Sequence, residues 1–300
     1  MLDISLLGTS GMIPLHNRYL TAMLARYNGN LLLIDCGEGT QVTMRELGWG
    51  FVNLNVLLIT HFHADHISGL PGLLLSLSNY GREEPLYIVG PKGTEAVVKN
   101  LCVIAPKLMY TIEIIELENE TGSIEIGDWH ISALPLQHTL PCFGYSLHIP
   151  RVGKFDATRA KEQNIPLKYW SRLQNGETVE NFTPDMVLGK PRKGIKVSYI
   201  TDTRPIDTIP SFIKGSDLFI CEGMYGDDNM KEKADRFYHM IFSDAAKLAK
   251  AGDVKELWLT HYSQAFADPE LHIHSIKPIF ENAKAGYDRM TKTIPFVDED

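Results

Sequence analysis

The sequence has no apolar run near the ~20 residues that a bilayer-spanning helix needs, so no membrane partner is expected. It also lacks paired cysteines. Cys36, Cys102, Cys142 and Cys221 stand far apart with no CxxC, which argues against a zinc ribbon, a dithiol redox motif and a disulfide framework. Each has apolar or small neighbours and reads as a buried free thiol. No basic stretch opens Met1-Leu-Asp-Ile-Ser-Leu-Leu, so a signal peptide is not expected and the cytoplasm is the default location. Repeats of 20–50 residues and low-complexity tracts are missing too, which argues against a solenoid.

Positive charge is scarce overall: 29 Lys and Arg against 37 Asp and Glu give a net charge of −8. That balance would discourage a polyanionic partner, but it is unevenly spread. Residues 151–196 hold ten Lys/Arg and five acids, a local +5 that leaves −13 on the remainder. A basic segment on an acidic body is the asymmetry to follow.

What is present is a large globular chain of 300 residues, 44% hydrophobic, enough for a substantial core. Short bulky runs at Ile4–Leu7, Leu31–Ile34, Val56–Thr60, Leu86–Val89, Thr111–Leu117, Ser123–Ile126, Trp129–Leu134, Phe143–Ile149, Lys196–Ile200, Leu218–Cys221 and Glu256–Thr260 read as strands. Helices are expected from Thr40 through Met44, over Gly69–Tyr80, Thr94–Ile104 and Ser243–Lys250, and from about Pro269 to Lys284. Leu20–Tyr27 is ambiguous, because Ala-Met-Leu-Ala dilutes its strand character. Two strand-rich halves, each ending in helices, suit an α/β sandwich of two sheets with helices outside. The stretch from 151 to 195, with Pro166, Pro184 and Pro191, reads as an arm or long loop leaving a single domain of residues 1–300.

His61-Phe-His63-Ala-Asp65-His66 places four potential metal ligands in six residues, directly after a strand. Alternate side chains of an extended turn share a face, so His61 and His63 can converge on one ion while Asp65 and His66 point to a second position. Imidazole and carboxylate suit borderline divalent ions such as Zn²⁺. One loop cannot fill two coordination shells, and His138, Asp202 and His261 each end an apolar run elsewhere. Ile59-Thr-His61 and Leu259-Thr-His261 repeat one local pattern.

These residues resemble the metallo-β-lactamase superfamily and, within it, ribonuclease Z, the tRNA 3′-end endonucleases. The resemblance spans nearly the whole chain: Leu7-Gly-Thr-Ser, Ile34-Asp-Cys-Gly-Glu-Gly-Thr40, the HxHxDH motif, Gly69-Leu-Pro-Gly-Leu73, Gly90-Pro-Lys-Gly93, Phe143-Gly-Tyr145, Gly153-Lys-Phe-Asp156, Pro191-Arg-Lys-Gly194, Thr201-Asp-Thr203 and Leu259-Thr-His-Tyr-Ser263. It implies an αββα metallo-β-lactamase sandwich with an inserted arm. It further implies that His61, His63 and His138 bind one zinc, that Asp65, His66 and His261 bind another, and that Asp202 bridges the two Zn²⁺, with Mn²⁺ or another divalent ion as a substitute. The implied reaction is hydrolysis of a phosphodiester at the 3′ end of precursor tRNA by a metal-bridging hydroxide. Asp65 would handle the proton of the attacking water, and His239, in Phe237-Tyr-His-Met240, would stabilise developing charge or protonate the leaving oxygen. The arm, through Lys168 and Arg172, would grip tRNA, and Lys190, Arg192 and Lys193 would hold the acceptor stem near the metals. A homodimer, one subunit's arm serving the other's site, is also implied. The alternatives from the residues are a hydrolase of small phosphodiesters or other esters on the same fold, and a non-catalytic RNA-binding protein.

Overall fold

The structure, a computed structural model, describes residues 1–105 and 107–297. The first sheet takes β1 (Leu2–Gly8), β2 (Ala22–Tyr27), β3 (Asn30–Ile34), β4 (Leu54–Leu58), β5 (Leu86–Pro91) and β6 (Ile112–Leu117). The second takes β7 (Gly122–Ile126), β8 (Trp129–Leu136), β9 (Cys142–Arg151), β10 (Arg192–Ile200), β11 (Leu218–Glu222), β12 (Leu257–Thr260) and β13 (Ala283–Ala285), while β14 (Thr291–Ile294) returns to flank β1. Each sheet has an antiparallel part and a parallel part, the parallel ladders being β3-β4-β5-β6 and β10-β11-β12-β13.

The middle strands β3, β4, β11 and β12 are covered on both faces, which is why they read as unbroken apolar runs, while β7 alternates between core and solvent. Along β3, Leu32 and Ile34 enter the core between the sheets, while Leu31 and Leu33 face outward beneath helices. The inter-sheet core joins Ile4, Leu6, Val56 and Leu58 of one sheet to Trp129, Tyr145, Val197, Ile220 and Trp258 of the other. Helices α1 (Thr40–Leu47), α2 (Ala64–Ile67), α3 (Leu70–Asn79) and α4 (Thr94–Leu101) belong to the first half; Met44, Leu70, Leu73, Leu74, Leu77 and Val98 fill its outer layer.

The inserted segment carries two short helices, α5 (Ala157–Glu162) and α6 (Leu167–Gln174), and a cluster of its own around Ala160, Ile165, Leu173 and Val187. The fold of this segment is more regular than its prolines suggested. Tyr169 and Trp170 pack into that cluster, and Trp170 Nε1 donates to the Ile165 carbonyl at 3.0 Å. At its neck the two chain segments touch: a Cβ on Gly153 would sit 2.0 Å from the Gly189 carbonyl oxygen. Only glycine fits there.

Helices α7 (Ile209–Ile213), α8 (Lys231–Phe237), α9 (Phe242–Ala251) and α10 (Glu270–Ile276) complete the second half; α7, α9 and α10 cover the outer face of the second sheet. Two expectations are corrected here. The last helix ends at Ile276 instead of about Lys284, because Pro278 lacks the backbone donor that would continue it; the chain then enters β13. The ambiguous stretch Leu20–Tyr27 holds the strand β2 from Ala22 to Tyr27, where Met23 and Ala25 face the inter-sheet core. Small Ala side chains fit where both faces are crowded.

Candidate metal centre

Strand ends from both sheets converge on one edge of the sandwich. β4 delivers His61, β8 delivers His138, β10 delivers Asp202, β11 ends on Glu222 and β12 delivers His261. The end of β4 is tied to the opposite sheet, Phe143 N–H donating to the Thr60 carbonyl at 3.0 Å and Tyr145 Oη to the Ile59 carbonyl at 2.7 Å. His63 precedes α2, and Asp65 and His66 lie within it, so a single tight turn aims three side chains at the edge.

Two groups of ligand atoms result. In the first, His61 Nε2 and His63 Nδ1 are 2.9 Å apart, and His138 Nε2 is 3.2 Å from His63 Nδ1. Asp202 Oδ2 stands 3.6 Å from His61 Nε2 and 3.7 Å from His138 Nε2. In the second, Asp65 Oδ2 is 3.5 Å from both His66 Nε2 and His261 Nε2. The other oxygen of Asp202, Oδ1, is 3.4 Å from His66 Nε2 and 3.2 Å from His261 Nε2. The Asp202 carboxylate therefore gives one oxygen to each group.

The donor set fits divalent cations. Ligands at 2.0–2.1 Å from a tetrahedral ion are separated by roughly 3.3–3.4 Å, close to most of these spacings. Three ring nitrogens facing one another in the first group cannot all be satisfied by sharing protons. His66 Nε2 and both His261 ring nitrogens are buried without a hydrogen-bond partner. Buried polar atoms are seldom left that way unless something else binds them.

A surrounding layer sets ring orientation. His66 Nδ1 donates to Asp35 Oδ2 at 2.8 Å, and Asp35 also accepts the Thr60 N–H at 2.8 Å. His138 Nδ1 faces the Tyr238 carbonyl at 3.3 Å, and His61 Nδ1 faces Thr60 Oγ1 at 3.0 Å. Such partners fix the tautomer that leaves the other nitrogen free for a cation. Asp35, Asp202 and His261 all have left-handed backbones, with φ of 62°, 50° and 59°. Strain of this kind concentrates at functional sites, at a cost of about 1–3 kcal/mol per residue.

Burial, with the crowding of neighbouring imidazoles, holds His61 well below the usual histidine range and lowers His63 and His138 despite Asp202. These three rings are neutral and their lone pairs are available. His66 goes the other way: burial opposes its charge, but Asp202, Asp35 and Asp65 outweigh it and raise it well above its ordinary value. Burial would also raise Asp65, yet His66 and His261 hold its carboxyl far below the usual range.

His239, between α8 and α9, stacks beside His261 with ring centroids 5.5 Å apart and lies 5.4 Å from His138. Its Nδ1 is 3.1 Å from Glu222 Oε2. Burial disfavours its charge, but Glu222, Asp202 and Asp65 raise it to about 9. Glu222 and Asp35 were not singled out from the sequence, although each closes an apolar run as Asp202 does.

The loop after β1 folds over the second group. Gly11 lies so close to His261 that a Cβ would stand 2.8 Å from its ring. The next residue, Met12, has φ of 70° and donates its N–H to Asp65 Oδ2 at 2.8 Å. Ile13 N–H returns to the Gly11 carbonyl at 2.9 Å, closing a γ-turn of positive φ, a rare and strained form.

The basic residues fall elsewhere. Arg192 and Lys193 begin β10 and Asp202 follows its end, so the strand sets them roughly 30 Å from the cluster at about 3.3 Å per residue. Within one chain they do not sit beside the clustered ligands, as closeness in sequence suggested. Lys190 and Lys193 are exposed, and Arg192 Nε donates to the Val152 carbonyl at 3.1 Å. Lys168 and Arg172 are exposed on α6, Arg172 paired with Glu177 at 2.7 Å.

The chain is similar to known proteins in sequence and in fold. A family described as Anti-Pycsar protein Apyc1 matches residues 2–154. A curated protein of Clostridium acetobutylicum named Ribonuclease Z is 52% identical, covering 99% of both chains. Another of that name from Lachnospira eligens is 50% identical over the full length of both. Among solved structures, the short form of human tRNase Z superposes with a TM-score of 0.71 at 23% identity, covering 98% of this chain and 99% of that one. The metallo-β-lactamase fold protein YhfI from Bacillus subtilis also gives 0.71, at 18% identity, covering 97% and 98%. At those identities the two structures speak for the fold alone.

Proposed function

The chain belongs to the ribonuclease Z family, and we propose on that premise that it cuts precursor tRNA at the 3′ end through two divalent cations, zinc in the first instance. The observation that carries the metal reading is the Asp202 carboxylate, whose two oxygens face two separate groups of unprotonated or unpartnered histidine nitrogens. His61, His63 and His138 hold one ion, Asp65, His66 and His261 the other, with Asp202 between them. When bound, the ions supply Lewis-acid charge for the phosphate and activate water at neutral pH.

The chain's own residues do the rest. Asp65, held by the Met12 N–H, orients the attacking water and accepts its proton. His239 is held cationic by Glu222 and lies beside His138 and His261, where it stabilises developing phosphate charge and gives its proton to the leaving oxygen. Lys168, Arg172, Lys190, Arg192 and Lys193 lie away from the cut and act on distant phosphates of an extended RNA, positioning it without specifying sequence. A homodimer in which the segment 151–195 of one subunit reaches the RNA held by the other reconciles that distance with a role in binding. The cytoplasm, where tRNA precursors are trimmed, is the proposed location; among the described residues no helix is long and apolar enough to cross a membrane.

The test is zinc-loaded protein with a 3′-extended precursor tRNA, beside His63→Ala and a small phosphodiester. Cleavage at the 3′ side of the acceptor stem, lost in His63→Ala, is expected. Hydrolysis of the small diester with the tRNA left intact would replace the RNA substrate with the small-phosphodiester alternative.

A further inference from the structure

The metal centre is polar, but exposed apolar side chains stand close to it in the chain. Met12 is 60% exposed and Ile13 48%, both on the strained turn that covers His261. Leu140, two residues past His138, and Phe237, two residues before His239, are exposed as well. Of these, Met12 is tied to the cluster directly, its N–H donating to Asp65 Oδ2. Scattered surface apolar residues need no explanation, but one held exposed on a strained turn beside a reaction centre does.

Met12 is the informative member. Its φ of 70° is a conformation that glycine adopts freely and that a long side chain adopts at a cost. The backbone task at this position, donating the N–H to Asp65 Oδ2, needs no side chain at all. The methionine is thus an expense that the turn itself does not require. Its backbone nitrogen lies 2.8 Å from Asp65 Oδ2, so its side chain starts beside the reaction centre. In an RNA strand threaded through that point, phosphate and ribose are polar. The face of an unstacked base is what an exposed thioether and its apolar neighbours can cover, and sulfur contacts aromatic rings favourably.

We propose that Met12, with Ile13 beside it, is a substrate-binding contact for the nucleobase of a nucleotide flanking the scissile phosphate. It selects a single-stranded, unstacked nucleotide at the cut. This rests on the endoribonuclease reading and adds a contact that grips the substrate through its base, independent of the phosphate ligands. Both faces of every base are flat, so the grip tolerates different sequences and rejects a paired or missing base.

The experiment measures kcat and KM of zinc-loaded wild type, Met12→Gly and Met12→Ala on a precursor tRNA. A second set of precursors carries an abasic ribose on one side of the cut or the other. Wild type must cut the intact precursor; no cutting at all refutes the endoribonuclease reading and this proposal with it. Given cutting, KM is expected to rise about fivefold to tenfold in both variants, the scale of one thioether–ring contact, with kcat changed less. One abasic position should raise the wild-type KM similarly and add little in either variant, the signature of a shared contact. Met12→Gly should melt no lower than wild type, because it relieves the left-handed strain, which separates lost binding from lost folding. An unchanged KM in Met12→Ala, or an abasic penalty as large in the variants as in wild type, overturns the proposal. A loss in Gly alone would also overturn it, since that would assign the effect to backbone rigidity.

Discussion

Glu222 and His239 form a buried carboxylate–imidazole pair, Oε2 to Nδ1 at 3.1 Å, at the rim of the metal centre. Glu222 is wholly buried and also accepts the Thr203 N–H at 2.6 Å and the Met240 N–H at 3.1 Å. Three donors converge on one carboxylate, which holds the ring that faces the cluster. The pair acts as a unit. His239→Ala and Glu222→Gln should each lower kcat by about 10²-fold or more, the usual scale of general acid–base catalysis. The double variant should be little worse than either single one. Multiplicative losses would mean that Glu222 serves the fold and not the histidine.

Asp35 offers a test of the metal centre that touches no ligand. Its carboxylate orients His66 from behind, at 2.8 Å, and is itself held by Thr60. Asp35→Asn keeps the size but weakens the hold on the ring proton. Metal affinity at the Asp65–His66–His261 group should fall about 10–100-fold, as for other outer partners of ligating histidines. Titration of metal against apoprotein should therefore show one ion retained and one weakened. Wild-type affinity for both ions would remove Asp35 from the account.

Stripping the ions should destabilise the fold as well as stop the reaction. His66 Nε2 and both His261 nitrogens are buried with no partner, beside the two carboxylates. Chelation leaves those buried nitrogens without a partner, and a cation bound only by the folded state adds about 4 kcal/mol at a thousandfold excess over Kd. Melting with and without chelator should show a fall of several degrees, reversed by Zn²⁺. His63→Ala, which already disables the first group, should show a smaller fall. Identical melting with and without chelator would count against resident metal.

How much of this was legible in the sequence follows from what is local. His61 to His66 lie on one turn, so their convergence could be read from spacing, and the strand-end positions of His138, Asp202 and His261 gave the rest. Asp35 and Glu222 obey the same strand-end rule but were passed over, because a lone acid after an apolar run carries no distinguishing neighbour. Met12 was invisible because its meaning lies in a backbone dihedral. The basic residues misled through proximity: Arg192 is ten residues from Asp202, but those residues form an extended strand that carries the two apart. The short helix α5 stayed hidden because six residues show too little period, and the aromatic residues of α6 serve a local cluster.

The basic residues of that segment yield a prediction with a different signature from the metal ligands. Lys168 and Lys190 are exposed and far from the cluster, so under the proposed role they would meet phosphates through solvent-screened attraction. Lys168→Glu and Lys190→Glu should raise KM for precursor tRNA several-fold while leaving kcat near wild type. The dependence of KM on salt should flatten, because fewer counterions are released per RNA bound. Salt slopes equal to wild type would place the RNA elsewhere on the surface.

Asp288 supplies a pH dependence independent of the metal ligands. Its carboxylate accepts the Thr9 hydroxyl at 3.0 Å and the Tyr19 N–H at 2.6 Å, beside the start of the loop that carries Met12. Burial outweighs these bonds and the nearby Arg289 and Arg18, and raises Asp288 to about 6. An acid whose folded value lies above its unfolded value contributes stability that is fully present below the unfolded value. That contribution is lost as pH rises through the folded one. Asp288→Asn is the neutral reference, since its carbonyl can accept the Tyr19 N–H while its amide donates to Thr9 Oγ1. Wild type and variant should melt together near pH 4, and the variant should gain progressively up to about pH 6 and hold its advantage above that. Taking the difference between the two proteins cancels the loss of metal at low pH, which both share. A gap that stays constant from pH 4 to 8 would show that Asp288 is ionised throughout, with its hydrogen bonds overcoming its burial.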